Sequence, residues 1–118
     1  MKDKAVFAIR SKIWIEDMEG NVVFGLGRYR ILDMIGRSGS MQAAAKQLQM
    51  SYRAVWMRIR TSEERIGKQL VVREGKGSRL TTFAENLMKQ FKRLHAIVEA
   101  ESDEVYDSLM KDQLAPHI

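Results

Sequence analysis

The chain has 118 residues, a length that suits one domain with a sizeable core better than two. It contains no cysteine, which excludes disulfides, thiolate metal sites and cysteine nucleophiles. Its net charge of +5 is unevenly spread, because residues 28–80 carry twelve Lys and Arg against four acidic residues, whereas residues 81–118 are net negative. The middle of the chain is therefore the part expected to attract a polyanion.

The N-terminal part predicts a β-hairpin followed by a helix. Residues 12–16 are rich in β-branched and aromatic side chains, residues 17–21 read as a turn, and residues 22–24 read as a second strand. Residues 25–27 are expected to break the strand. Apolar side chains three and four residues apart then predict a helix over residues 28–37.

A helix-turn-helix is predicted over residues 40–67. Ser40 is expected to cap a helix over residues 41–49, and Ser51 to cap a third helix that ends at Gly67. The short link between these two helices has the form that helix-turn-helix geometry requires. We expect Trp56 to pack in the core beside a buried stripe formed by Val55, Ile59, Ser62 and Ile66.

A second hairpin and a long helix are predicted to complete the chain. The hairpin, called the wing below, has strands at residues 70–73 and 79–81, and Thr82 is expected to cap the helix that follows. A helix from residue 82 to 109 would be ~40 Å long, more than one small domain can cover, so a partner subunit is the natural cover. The apolar positions expected to form this dimer contact are Phe91, Leu94, Val98, Val105 and Leu109.

These elements predict a mainly α fold with small β-hairpins, namely a winged helix-turn-helix with a long C-terminal dimerisation helix. Within one domain overall, we expect a hairpin segment at residues 1–27, the winged helix-turn-helix core at 28–82, and the long helix and tail at 83–118. The first residues lack a signal peptide, and no stretch approaches the ~20 apolar residues of a membrane helix, so a cytoplasmic protein without membrane partners is expected.

The start of the third helix is the candidate base-reading surface. Arg53 can donate a fork of hydrogen bonds to guanine O6 and N7, and Tyr52 offers a hydroxyl and an apolar ring. Arg58 and Arg60 suit phosphates, while the basic, glycine-flanked wing can reach the backbone or a minor groove. The candidate DNA-binding residues are Ser40, Gln42, Ser51, Tyr52, Arg53, Met57, Arg58, Arg60, Lys76 and Arg79.

Two strings of residues carry a resemblance to a known family. They are Ser38-Gly39-Ser40-Met41-Gln42-Ala43-Ala44-Ala45-Lys46 and Met50-Ser51-Tyr52-Arg53-Ala54-Val55-Trp56. They resemble the N-terminal DNA-binding domain of the molybdate-responsive ModE regulators, which is related to the DNA-binding domain of LysR-type regulators. The resemblance is specific from about residue 28 to residue 94.

The resemblance implies a winged-helix transcription regulator that binds double-stranded DNA as a homodimer. By position, it implies that Ser51, Tyr52, Arg53 and Met57 face the major groove. Fuller members of the family carry molybdate-binding domains after this one, and no residue of this chain is assigned to oxyanion sensing.

Two other functions compete with DNA binding. A winged-helix module could instead bind a protein through an acidic surface at Glu99, Glu101, Asp103, Glu104 and Asp107, but the clustered positive charge of residues 28–80 favours DNA. An enzyme is not expected. The two histidines, His95 and His117, accompany no nucleophile motif and no metal-ligand cluster, so we predict no catalytic residue, cofactor or metal.

Overall fold

The computed structural model describes residues 6–115. Two antiparallel pairs of strands, β1 with β2 and β3 with β4, accompany four helices. In chain order the elements are β1 Trp14–Glu16, β2 Val22–Gly25, α1 Leu26–Ser38, α2 Met41–Gln47, α3 Tyr52–Ile66, β3 Val71–Glu74, β4 Gly77–Leu80 and α4 Thr82–Leu109. The predicted fold class, mainly helical with two small hairpins, is confirmed.

The chain divides into two compact units. One is Ile13–Phe91, which contains both hairpins, α1 to α3 and the first part of α4. The other combines the described residues up to Lys12 with those from Lys92 onward. The whole winged helix-turn-helix therefore lies within the first unit.

One apolar core holds the first unit together. The helices α1, α2 and α3 each bury the face that their apolar spacing predicted, and Phe24, Leu32, Ile35, Ala44, Val55 and Ile59 are completely buried. The rings of Phe24 and Phe91 meet edge to face with centroids 5.2 Å apart. This contact ties the strand β2 to the first part of α4.

The burial of Phe91 corrects one prediction. We expected its side chain at a dimer contact, but only 2% of it is exposed, and it lies in the core of its own chain. Helical spacing places Phe91 on one face of α4 with Leu94 and Val98. It does not show which residues of that face pack against the rest of the same chain and which are left exposed.

The predicted caps of the helix-turn-helix are confirmed. The Ser40 hydroxyl accepts a hydrogen bond from the amide of Ala43, and the Ser51 hydroxyl accepts one from Ala54, both at 3.0 Å. Gly67 ends α3 in the left-handed region at φ 81°. These side-chain bonds satisfy amides that the first turn of a helix leaves without a backbone partner, so they fix where α2 and α3 begin.

Some predicted boundaries were wrong. The helix α1 follows β2 directly at Leu26, and α2 ends at Gln47 because Gln49 adopts a left-handed φ of 56°. The cap of α4 is Thr81 rather than Thr82, since the Thr81 hydroxyl accepts from Ala84 at 3.0 Å. Both wing strands also begin and end within two residues of their predicted bounds.

The tip of the wing is seated on the C-terminal end of α1. The amide of Ser78 donates to the carbonyl of Gly39 at 2.8 Å, and a Cβ at Gly77 would lie 2.2 Å from that oxygen. Only glycine at position 77 allows so close an approach of the two backbones.

Replacing Gly77 by Ala is therefore expected to destabilise the fold by about 1–3 kcal/mol, because the added methyl must push the wing off α1. Urea unfolding measures this. Gly27→Ala is the matched control, since a Cβ at Gly27 meets nothing within 4 Å. Equal stability of the Gly77 variant and the control would contradict the close approach.

Candidate nucleic-acid interface

A cleft of about 360 Å³ opens between the start of α2, the first half of α3 and the wing. We call it the wing cleft. Three of its lining residues are basic, namely Arg60, Arg73 and Lys76, and none is acidic. The other lining residues are Ser40, Met41, Gln42, Tyr52, Trp56, Val71, Val72, Gly77 and Ser78. A concave surface lined by basic side chains favours the binding of anions.

The structure brings half of the predicted DNA-binding residues together in this cleft. These are Ser40, Gln42, Tyr52, Arg60 and Lys76. The remaining α3 residues lie outside the cleft on exposed positions of the same helix, and they are Arg53, Met57 and Arg58, with Ser51 just before them. Apart from Arg79, the predicted set therefore surrounds the exposed part of α3, with Arg58 on the side opposite the wing cleft.

Arg79 points elsewhere. Its guanidinium lies 3.6 Å from the carboxylate of Glu74 across the hairpin, and it lines a separate depression with Glu74 and Glu85. The neighbouring carboxylates reduce the positive potential there. Arg73, by contrast, lines the wing cleft. It was not among the residues predicted from the sequence, although its position as a basic residue at the end of a wing strand could have indicated it.

Trp56 corrects another prediction, because its ring lies in the wing cleft and not in the core. Of this side chain, 40% is exposed. It stands about 100° around α3 from the buried Val55, which places it at the edge of the apolar stripe. The guanidinium carbon of Arg60 lies 5.8 Å from the centroid of the ring. Trp56 therefore forms an aromatic side of the cleft and makes a cation–π contact with Arg60.

Glu63 is a buried carboxylate that the sequence did not single out. One of its oxygens accepts hydrogen bonds from the amides of Leu70 at 2.7 Å and Val71 at 3.2 Å, and the other binds the guanidinium of Arg60. Its side chain is 9% exposed. Glu63 therefore connects the third helix to the first strand of the wing and orients Arg60 beside Trp56.

Ser62 fixes the other side of the helix, and its predicted burial is confirmed. Its hydroxyl donates to the carbonyl of Val23 in β2 at 2.7 Å. Two polar residues in succession, Ser62 and Glu63, thus attach α3 to both hairpins. The C-terminal half of α3 is therefore fixed to both hairpins, and the start of the helix is left exposed.

The comparison with known families agrees with this geometry. Residues 26–85 match the family model of bacterial regulatory helix-turn-helix proteins, lysR family. The chain belongs to the LysR family. The match spans α1 to the start of α4 and includes the wing cleft, and it confirms the family indicated by the sequence.

Two individual proteins are also similar to this LysR-family chain. It is 31% identical over 87 residues to the molybdenum transport protein ModE of Azotobacter vinelandii, covering 70% of this chain and 32% of ModE. The chain thus spans about a third of that relative. It also resembles ArgP from Mycobacterium tuberculosis, with 35% identity, a TM-score of 0.50, and coverage of 64% of this chain and 28% of ArgP.

The crystal structure of the CbnR_DBD–DNA complex shares the fold. Its protein chain superposes with a TM-score of 0.58 at 20% identity, covering 72% of this chain and 98% of that one. By its description, the LysR family is one of bacterial regulatory helix-turn-helix proteins.

The second unit of this LysR-family chain exposes apolar side chains on α4. Among the residues predicted for the dimer contact, Leu94, Val105 and Leu109 are 45%, 44% and 64% exposed, and Val98 is half-buried. Ile97, which the prediction omitted, is 57% exposed. Within residues 6–115, no helix is both long and apolar enough to cross a membrane.

Proposed function

We propose that this LysR-family chain is a sequence-specific DNA-binding transcriptional regulator that acts as a homodimer. The helix α3 enters the major groove, and the wing contacts the backbone or the adjacent minor groove. The observation that carries the proposal is the wing cleft. Arg73 and Lys76 line it together with two aromatic side chains and with Arg60, whose charge is partly offset by Glu63. Such a regulator acts in the cytoplasm, on the DNA of the cell, and needs no catalytic residue.

The residues divide by what they can reach. Ser51, Tyr52, Arg53 and Met57 lie at the exposed start of α3, where a recognition helix presents side chains to base edges. The remaining candidates near α3 suit phosphates, and they are Ser40, Gln42, Arg58, Arg60 and Lys76. Arg73 joins them because it lines the wing cleft. Arg79 is set apart from them, because it lies beside Glu74 outside the wing cleft.

The exposed apolar side chains of α4 support the homodimer. Leu94, Val98, Val105 and Leu109 recur at helical spacing, and three of the four are at least 44% exposed in the single chain. A second copy of the same helix would remove this apolar surface from water. Two copies then present two recognition helices to two half-sites.

Selection from a library of random duplexes tests the proposal. We expect enrichment of a palindromic sequence whose half-sites lie about one helical turn, or a multiple of it, apart. Failure to enrich any sequence at modest salt would overturn the proposal. If the chain also bound no duplex at low salt but captured a protein through the acidic side chains of α4, a protein-interaction module would be the better account.

Replacing Arg53 by Ala is expected to weaken binding to the enriched duplex by about 1–3 kcal/mol and to relax selection at one base pair, because a bidentate contact to guanine is lost. Repeating the selection with the variant measures both effects. Arg37→Ala is the control, since Arg37 lies at the end of α1 and pairs with Asp33. Unchanged selectivity of the Arg53 variant would contradict its role in reading bases.

A further inference from the structure

Two arginines of α3, Arg58 and Arg65, lie on the side of the helix that faces away from the wing. Arg58 follows Trp56 by two residues, which is about 200° around the helix, so the two side chains leave opposite sides. Arg65 lies two turns further along, on the same side as Arg58. It donates to the carbonyl of Val22 in β2.

The third arginine comes from α1. The strand β2 runs directly into this helix, and Arg28 occupies its first turn. The charges of Arg58 and Arg65 reach Arg28, and together with burial they lower its pKa, burial having the larger effect. We call Arg28, Arg58 and Arg65 the arginine flank.

The arginine flank has no carboxylate in direct contact within residues 6–115. None of its members forms an ion pair with a carboxylate of residues 6–115, and α1 has no acid in its first turn. The charge of Arg65 does act on one acid, Asp17, whose pKa is lowered mainly by hydrogen bonds from Asn21 and least by Arg65. The carboxylate of Asp17 is engaged by the amides of Glu19 and Asn21.

Arg28 carries a further sign of an incomplete site. Its Nε atom is buried and has no hydrogen-bond partner in the described chain. A buried donor without a partner destabilises a fold, and so do like charges held together. A ligand that supplied negative charge here would relieve both effects.

We propose that the arginine flank binds a DNA backbone phosphate on the side of the major groove opposite the wing. This inference rests on the proposed function, in which α3 occupies the groove. A helix with its side chains is roughly 10–12 Å across and the major groove is about 12 Å wide, so phosphates line both flanks of an inserted helix. The wing cleft binds one strand, and the arginine flank binds the other.

The chemistry of the flank suits this ligand. A guanidinium stays charged at all physiological pH values and presents a planar fork of donors that matches phosphate oxygens. Arg58 and Arg28 supply these donors, whereas Arg65 divides its donors between the phosphate and the carbonyl of Val22. The hairpin β1–β2 and the start of α1 thereby become part of the DNA-binding surface.

The salt dependence of DNA affinity tests the proposal on the full chain. The probes are the duplex enriched by selection and a random duplex of equal length. Replacing Arg28 by Gln is expected to reduce the magnitude of the slope of log affinity against log salt concentration by ~0.9. The variant neutralises one phosphate fewer, so fewer counterions are released when it binds DNA. The loss should be equal on both duplexes, since a phosphate contact carries no sequence information.

Arg30→Gln is the matched control, because Arg30 is exposed, lies on the same helix and carries the same charge. An unchanged slope in the Arg28 variant, or an equal change in the control, would overturn the proposal alone. Absence of binding to any duplex by the unaltered chain at low salt would instead overturn the proposed function, and the inference with it.

Thermal unfolding separates a binding role from a structural one. The Arg28→Gln variant without DNA should melt at the same temperature as the unaltered chain or higher, because a buried charge among like charges is removed. A clearly lower melting temperature would assign Arg28 to the fold and overturn its role as a phosphate ligand. Arg58→Gln provides a second variant whose slope should fall in the same way.

Discussion

Replacing Glu63 by Ala should reduce the free energy of unfolding by about 3 kcal/mol or more. The substitution removes the acceptor of two buried amides, those of Leu70 and Val71, and each unsatisfied amide costs about 1–3 kcal/mol. The lost ion pair with Arg60 adds less, because the Arg60 side chain is 36% exposed and water screens it. Urea unfolding, monitored by circular dichroism, measures the change.

Glu64→Ala is the matched control for this prediction. Glu64 is the next residue of α3 and is exposed, so its loss should alter stability by no more than about 0.5 kcal/mol. Glu63→Gln should fall between the two, since its amide oxygen can still accept a hydrogen bond. A Glu63→Ala variant as stable as the control would contradict the connection between α3 and the wing.

Placing a carboxylate on the apolar surface of α4 should have the largest effect on DNA binding. The Leu94→Glu change introduces a charge where we propose that two copies meet, so the dimer should dissociate at working concentrations. Two linked recognition helices gain a factor of roughly 10²–10⁴ in affinity over one. We therefore expect the variant to lose about 100-fold or more in affinity for the palindromic duplex.

Sedimentation and fluorescence anisotropy check this result together. The control is Ala96→Glu, which adds the same side chain about 200° around the helix at an exposed position. The control should remain dimeric and bind DNA as the unaltered chain does. A Leu94→Glu chain that stays dimeric with full affinity would show that the dimer contact lies elsewhere.

Local chemistry explains why much of the fold was predictable. Caps act on the next three residues, so Ser40, Ser51 and the terminating Gly67 could be recognised without knowing the tertiary structure. The burial of Val55, Ile59 and Ser62 followed from spacing along a single helix. Thr81 and Thr82 could equally serve as a cap, and only the end of β4 decides between them.

The parts that the sequence did not reveal depend on contacts between elements. A glutamate is rarely buried, so nothing in the sequence suggested that Glu63 accepts the amides of β3. Trp56 looked like a core residue by type, but its position on the helix turns it toward the wing. Arg28 and Arg58 are thirty residues apart, and only the packing of α1 beside α3 brings their charges together.

The most direct test of the DNA-binding surface is a titration of the isotope-labelled chain with the enriched duplex, followed by amide chemical shifts. We expect the largest shifts in residues 51–60 and in the wing, with a second group at the start of α1. Residues 99–107 should shift little. Shifts concentrated in residues 99–107, with the start of α3 unaffected, would contradict the proposal that α3 and the wing bind DNA.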